Sequence, residues 1–308
     1  MQIVFVDANE TLGGIATRLR DESWPLKINL QPDITPDQLP AVIGDAEAII
    51  IDHTHLPLDI ARACPKLKHV IFLGTGPRSY MDPDALKAEL GIEVHIIKGY
   101  GDTAVAEFAI SLMWTAAKGI ALMDRGMREG QWLRTDGMQL TGKTLGLIGF
   151  GSIAAEVARI AGGSGMKVVA WNRSPKSHPG VDFLSLEEVL GQSDVLSIHL
   201  LLTDETRGFL SAERLAQMKP GSILINTARG AIVDEAAMIA RLKSGELRAA
   251  GLDVYNIEPM PAGHVLTTLP NAVLSAHSAF RTAEANDNLI LMAFDHYKRV
   301  SGLATVPA

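Results

Sequence analysis

Arg229, Glu258 and His277 are the residues whose types and placement suggest chemistry. Arg229 follows the apolar run ILINTA, Glu258 lies at the end of AAGLDVYNIEP, and His277 follows AVLSA. Each run reads as a buried strand, and open parallel α/β sheets bind ligands at the carboxyl ends of their strands. A guanidinium, a carboxylate and an imidazole gathered there suit the reduction of a 2-keto acid. The cation holds the substrate carboxylate and polarises the carbonyl, the imidazole supplies or takes the proton, and the carboxylate orients the imidazole. Taken singly, each has an ordinary reading: Arg229 as a surface ion pair, Glu258 as a helix-start charge before Pro259, His277 as a buried, hydrogen-bonded histidine.

A second motif concerns a dinucleotide. Gly149-Phe150-Gly151-Ser152-Ile153-Ala154 follows the strand-like TLGLI and opens a helical pattern. Gly149 permits a tight turn, Gly151 lets the backbone approach a pyrophosphate, and the small Ala154 lets helix and strand pack closely. The pyrophosphate would sit at the helix N-terminus, where free N–H groups and the dipole favour an anion. About twenty residues further on, an NAD site wants Asp or Glu for the ribose 2′-hydroxyl. This chain has Asn172-Arg173-Ser174 there, with Lys176 nearby. Asn, Arg and Ser can donate to a 2′-phosphate that a carboxylate would repel. NADP(H) is therefore expected; NAD(H) stays open if Arg173 is only a solvated charge.

The elements that must position these residues follow an α/β rhythm. Residues 2–7, 46–52, 69–73 and 92–97 read as buried strands, and 12–20, 56–63 and 84–90 as helices. A long helix is expected over 103–123, followed by a polar, Gly-rich excursion over 124–144. The rhythm then restarts with strands near 144–148, 167–171, 195–200, 222–226, 249–254 and 272–275, with helices between them, and a final helix near 283–300. Alternating strands and helices imply parallel sheets with crossovers. The expected organisation is two doubly wound α/β domains: residues 1–100 with 283–308, and residues 101–282. The chain crosses near 98–102 and 280–284, and the final helix returns to the first domain.

Composition narrows the partners. The 308 residues are 47% hydrophobic, enough for sizeable cores, and carry a net charge of −7. Neither the first hundred residues nor the rest has the basic excess that a phosphate backbone requires, so no nucleic-acid partner is expected. The single cysteine, Cys64, excludes an internal disulfide framework and a multi-Cys zinc site, and no metal ligands are singled out. The start, MQIVFVDANE, lacks a signal peptide's layout, and the longest apolar stretch, near 102–123, is interrupted by Glu107 and Lys118. The expectation is a cytoplasmic protein with no membrane partner.

Several segments together resemble the D-2-hydroxyacid dehydrogenases, the D-isomer-specific group: GKTLGLIGFGSIA, HLLLTDET, MKPGSILINTARGAIVDEAAMIARLKSGELRAAGLDVYNIEP and AHSAF, with VAEF at 105–108 and LGTG at 73–76. The resemblance covers nearly the whole chain. It implies a flavodoxin-like substrate domain interrupted by a Rossmann cofactor domain. It implies that Arg229 binds substrate and polarises the carbonyl, that His277 is the acid/base, and that Glu258 pairs with it. Thr75 and Gly76 match the loop whose N–H groups hold the substrate carboxylate. Asp253 matches the residue near the nicotinamide amide, while Leu200, Thr206, Thr227, Ala228 and Ala279 match positions lining the cofactor. Members usually dimerise through the cofactor domain, so a homodimer is expected. Gly130-Gln131-Trp132 resembles the dimerising arm, where in glyoxylate/hydroxypyruvate-type reductases a Trp can approach the partner's active site; Trp132 either does this or packs in the interface.

Departures from the family pattern matter too. Asn172 replaces the usual aspartate. Arg78 stands where many members have Asp, two residues past the second Gly of the substrate loop, and either grips a second anionic group or points to solvent. The expected reaction is NADPH-dependent reduction of a small, anionic 2-keto acid, glyoxylate or hydroxypyruvate first. The alternatives are an NAD-dependent 3-phosphoglycerate-type dehydrogenase and a nucleotide-sensing, corepressor-like binding protein on the same fold. A formate dehydrogenase is disfavoured because its longer N-terminal elaboration is not found.

Overall fold

Residues Met1–Gly101, with the chain from Arg281 onward, form one unit, and Asp102–Phe280 form another. The computed structural model describes residues 1–303. In the first unit, β1 (Ile3–Phe5), β2 (Leu26–Ile28), β3 (Ala48–Ile51), β4 (His69–Phe72) and β5 (Glu93–Ile96) pair in parallel, in the order β2-β1-β3-β4-β5. That is the flavodoxin-like order. All four residues of β3 are buried, as a central parallel strand with both faces covered requires.

Helices α1 (Glu10–Leu19), α2 (Leu39–Ile43), α3 (Leu58–Arg62) and α4 (Pro83–Leu90) make the crossovers. Their starts are set locally. Asn9 accepts the Leu12 N–H at 2.8 Å, and Asp82 accepts the N–H groups of Asp84 and Ala85, with Pro83 in the first helical turn. Leu39, Ile43, Ala61 and Leu86 pack on one face of the sheet.

The second unit holds seven parallel strands: β6 (Thr144–Ile148), β7 (Lys167–Trp171), β8 (Asp182–Phe183), β9 (Val195–Ile198), β10 (Ser222–Asn226), β11 (Leu247–Leu252) and β12 (Ala272–Leu274). Their order is β12-β11-β10-β9-β6-β7-β8. Counted within the unit this is the 3-2-1-4-5-6 Rossmann arrangement with one strand added, and its switch point falls between β6 and β9. Helices α5 (Asp102–Lys118), α6 (Ile120–Arg128), α7 (Ser152–Gly163), α8 (Leu186–Gln192), α9 (Ala212–Ala216) and α10 (Glu235–Ser244) belong to it. Residues of α5 and α7 cover one face, and residues of α8, α9 and α10 the other.

The closing helix, α11 (Ala283–Ser301), belongs to the first unit. Leu289, Ile290, Phe294 and Tyr297 join Leu12 and Ala16 of α1 over Ile3, Phe5, Ile50 and Ile71. Each such fully buried side chain contributes about 1.5–3 kcal/mol.

The two kinds of sheet were expected from the sequence. The long helix over 103–123 was not right as one piece. It stops at Lys118, and Gly119 adopts φ 67, with the position of a would-be Cβ 2.7 Å from Thr135 Oγ1. Only glycine meets both conditions, and the chain restarts as α6 at an angle of 67°. The segment expected to begin an excursion at 124 is therefore helical to Arg128. The short strands β2 and β8 were not expected; three and two residues are too few for a periodic signal. Among the described residues no single helix is long and apolar enough to cross a membrane.

Candidate active site

The loops after β10, β11 and β12 carry the three ionisable residues. After β10, the buried Asn226 side chain fastens its own loop: Oδ1 accepts the Ala228 N–H at 2.9 Å, and Nδ2 donates to the Arg229 carbonyl at 3.0 Å. Arg229 is thereby presented outward. Its Nη1 donates to the Ala228 carbonyl at 2.6 Å, and no carboxylate lies within 4.0 Å of its guanidinium among the described residues. The surface ion-pair reading of Arg229 fails on this point.

After β11, Glu258 is fixed by both oxygens. Oε1 accepts the Tyr255 N–H at 2.8 Å, and Oε2 lies 2.6 Å from Nδ1 of His277. Tyr255 clips the two strand ends together, its hydroxyl donating to the carbonyls of Ser275 at 2.8 Å and Leu252 at 3.1 Å. Burial, helped by the nearby charges of Asp253 and Glu258, pushes the Tyr255 phenol up to about 12, so it stays a donor.

His277 follows β12 and is the one non-glycine residue with positive φ, 48°, among the described residues. Such a backbone persists only where its surroundings over-determine it. Here they do. The His277 N–H donates to the Asp253 carbonyl at 2.8 Å. The Asp253 side chain, fully buried, accepts from Ser275 Oγ at 2.6 Å and from the N–H groups of Ser278 and Ala279 at 2.9 Å each. With Nδ1 facing Glu258, Nε2 is the nitrogen left for proton exchange, and the ring stands edge-on to Phe280 at 6.3 Å.

The resemblance placed Asp253 beside the nicotinamide amide. Its carboxylate already receives three hydrogen bonds from the histidine loop, leaving at most one acceptor site for anything else. Holding that loop is a role the sequence reading missed, as it missed Asn226 and Tyr255. A polar residue closing an apolar run, as in ILIN and GLD, was the only signal available.

The glycine loop follows β6 at the switch point. Gly149 has φ 85, and a Cβ there would meet the His199 carbonyl oxygen at 2.9 Å and Leu200 Cδ2 at 2.9 Å. Gly151 caps α7 with no side chain, and a Cβ on it would meet nothing within 4 Å. The first-turn N–H groups of Ser152 and Ile153 have no side-chain cap, and the space beside Gly151 leaves room for an anionic acceptor. Thr227 Oγ1 is buried without a partner. An uncapped helix start, open space above Gly151 and an orphaned hydroxyl fit a bound dinucleotide.

Other expected cofactor residues are placed differently from their simplest reading. The ring of Phe150 is buried against His178 and Phe183, which leaves only its backbone to face a cofactor. Asn172 Oδ1 accepts the Phe150 N–H at 3.0 Å and its Nδ2 donates to the Ser174 carbonyl at 2.9 Å, so the amide closes the loop as well as facing it. Lys176 Nζ donates to the Phe150 carbonyl at 2.5 Å. Arg173 is exposed, with no carboxylate within 4.0 Å among the described residues. The Thr206 hydroxyl is engaged within its own loop, accepting the Thr203 N–H at 2.7 Å and donating to the Leu201 carbonyl at 2.6 Å.

Thr75, Gly76 and Arg78 belong to the other unit, in the loop after β4. The N–H groups of Thr75 and Gly76 have no partner among the described residues. Arg78 pairs with Asp84 at 2.7 Å and lines a cavity of about 350 Å³. Trp132 follows α6 and is 75% exposed.

Comparison with known proteins identifies the family. Residues 110–279 match the family model described as D-isomer specific 2-hydroxyacid dehydrogenase, NAD binding domain. Over 288 residues the chain is 36% identical to a hydroxypyruvate reductase of Thermotoga maritima, covering 91% of this chain and 92% of that one. It is 38% identical to a glyoxylate reductase of Aeropyrum pernix over 251 residues, 77% of this chain and 74% of the other. The crystal structure of the TT0316 protein from Thermus thermophilus superposes with a TM-score of 0.86 at 32% identity, covering 98% of both chains.

Proposed function

The chain belongs to the D-isomer-specific 2-hydroxyacid dehydrogenases, an oxidoreductase family, and we propose that it works as an NADP(H)-preferring reductase of a small 2-keto acid, glyoxylate or hydroxypyruvate. The observation that carries the reading is the 2.6 Å contact of Glu258 with His277 Nδ1, which leaves Nε2 to exchange a proton. A bound nicotinamide supplies or accepts the hydride. The residues of this chain do the rest. Arg229 holds the substrate carboxylate and draws electron density from the carbonyl. His277 Nε2 delivers its proton to the carbonyl oxygen, and Glu258 steadies the ring throughout.

Support for NADP(H) is the lack of a carboxylate at position 172 and the exposed guanidinium of Arg173, which has no ion pair within 4.0 Å among the described residues although the charge of Glu205 reaches it. Support for a small substrate is the pairing of Arg78 with Asp84, which a second anionic group would have to displace, together with the names of the two sequence relatives. The exposed apolar side chains of Ile120, Met127, Trp132 and Leu133 favour a second copy of this chain as partner.

The test is consumption of NADPH and NADH, followed by absorbance, against glyoxylate, hydroxypyruvate, pyruvate, phenylpyruvate and 2-ketobutyrate, with oxidation of 3-phosphoglycerate by NAD⁺ alongside. Turnover of glyoxylate or hydroxypyruvate with NADPH ahead of NADH is the expected result. Turnover only with 3-phosphoglycerate and NAD⁺, or tight NADPH binding with no turnover at all, would replace this reading with the dehydrogenase or the sensing one.

A further inference from the structure

A cluster of imidazoles lies in the first unit, on residues that the chemistry above does not use. β4 and β5 pair in parallel with His69 opposite Glu93 and Ile71 opposite His95. Residues two apart on a strand share a face, so His69, Glu93 and His95 all project from one side of the sheet. β5 is an edge strand. The side chains converge: His69 Nδ1 is 3.2 Å from His95 Nε2, Glu93 Oε2 is 3.9 Å from His69 Nδ1, and the three candidate ligand atoms all lie within 4.8 Å of one another. A third imidazole, His296 of α11, stacks at a tilt on His95, with ring centroids 5.6 Å apart.

We propose that His69, Glu93 and His95 form a binding site for a divalent transition-metal ion of the imidazole-favouring kind, Zn²⁺ foremost, with His296 within reach as a further ligand.

The distances support it. Two nitrogens on a tetrahedral zinc, each at about 2.0–2.1 Å, stand about 3.3 Å apart. The two imidazole nitrogens already stand at 3.2 Å. Glu93 is an exposed side chain at a strand edge, and a rotation that brings its carboxylate in by about half an ångström towards His69, and by at most about 1.5 Å towards His95, completes three ligands at that spacing. Its other oxygen is only 3.8 Å from Lys87 Nζ, a weak hold on an exposed group. Lys68 and Arg299 oppose a cation here, and Glu93, Glu47 and Asp295 favour one.

The alternative for this geometry is a single hydrogen bond between the two imidazoles, with Glu93 held only by its longer contacts to Lys87 and His69. A sequence search for zinc ligands sees only one cysteine, because these ligands come from two strands 24 residues apart in register. Zinc here would tie β4, the strand that runs on into the Thr75–Gly76 loop, to the exposed edge β5 and, through His296, to α11.

The experiment is calorimetric titration of the tag-free, chelator-treated full chain with ZnCl₂, repeated on His69→Ala, His95→Ala and His277→Gln. About one equivalent should bind to the wild type. Either of the first two changes should weaken binding roughly tenfold or more, no less than loss of an outer-shell partner costs, while His277→Gln binds as the wild type does. Circular dichroism of the metal-free variants controls for folding. As a readout that needs no variant, Co²⁺ added to the wild type should give the visible bands of a tetrahedral N/O site. No stoichiometric zinc, no such bands, or binding that survives in both folded alanine variants or disappears in His277→Gln, overturns the proposal.

Discussion

The backbone N–H of His277 donates to the carbonyl oxygen of Asp253 at 2.8 Å, joining the end of β12 to the end of β11 beneath the imidazole. The Asp253 carboxylate completes the clamp by taking the next two N–H groups and the Ser275 hydroxyl. The positive φ of His277 is thus held from both sides. In Asp253→Asn the new NH₂ group faces a backbone donor, and one buried N–H loses its acceptor. The expected cost is about 1–3 kcal/mol of stability by denaturant unfolding. A catalytic ring displaced by about an ångström should also lower kcat about 100-fold. A variant that loses neither would remove the clamp role.

The second prediction concerns the ring itself. His277→Gln should lower kcat by about 100- to 10,000-fold, the range that a positioned acid/base contributes. NADPH binding, measured by fluorescence titration, should change little, because the His277 side chain contacts Glu258 and Phe280 and makes no hydrogen bond or ion pair with the glycine loop or Arg173 among the described residues. Glu258→Gln keeps a hydrogen-bonding group near Nδ1 and should lower kcat less. If both variants turn over at the wild-type rate, the proton passes elsewhere.

Arg173 gives the cofactor prediction. Its guanidinium is exposed and makes no ion pair within 4.0 Å among the described residues, so a 2′-phosphate would compete only with the longer-range charge of Glu205. A charge-assisted hydrogen bond is worth about 1.5–3 kcal/mol, so Arg173→Ala should raise KM for NADPH by about 10- to 100-fold. The KM for NADH should stay nearly constant. Equal losses for the two cofactors would count against the 2′-phosphate contact. Asn172→Asp should move preference towards NADH while keeping the acceptor for the Phe150 N–H.

For assembly, Met127 and Trp132 are 53% and 75% exposed on and just after α6, with Ile120 at the start of the same helix and Leu133 next to Trp132 also exposed. Replacing Met127 and Trp132 together by Asp should halve the mass seen by light scattering, since a charge in an apolar contact is left unpaired. A wild-type protein that is already monomeric at working concentration would contradict the dimer.

Much of the site was legible because its signals are local. A Gly-x-Gly after a strand states its own structure, and strand ends followed by Arg, Glu and His announce a carboxyl-edge site. What stayed hidden depends on partners far along the chain. Asn226 reaches only three residues, yet nothing in its type says that its amide locks the Arg229 loop. Asp253 reaches across to residues 275–279, and its buried carboxylate reads the same in sequence whether it meets a ligand or a backbone. The break at Gly119 uses a left-handed φ of 67 and a missing side chain that leaves room for Thr135, sixteen residues on, neither of which helical periodicity registers. His69 and His95 meet only once β4 and β5 are in register.

A pH effect on stability follows from His53 in the first unit. Its Nδ1 is 3.1 Å from the Asp52 carboxylate, and the buried Asp7 carboxylate accepts the His53 backbone N–H at 3.0 Å. The hydrogen bond to Asp52, joined by the charges of Asp52 and Asp7, pushes the imidazole up to about 9 against the opposing pull of burial. The folded state therefore binds this proton more tightly than the unfolded chain, whose histidine titrates near 6.5. The resulting stabilisation is fully present below about pH 6.5 and is lost as pH rises through about 9. His53 is 41% exposed, so solvent screening keeps the effect well below what the shift alone would give. Melting temperatures measured between these two pH values should fall for the wild type more than for His53→Gln, because glutamine keeps a polar side chain beside Asp52 but carries no proton to lose. Parallel melting curves for the two proteins across that window would place the charge of His53 outside the stability of the fold.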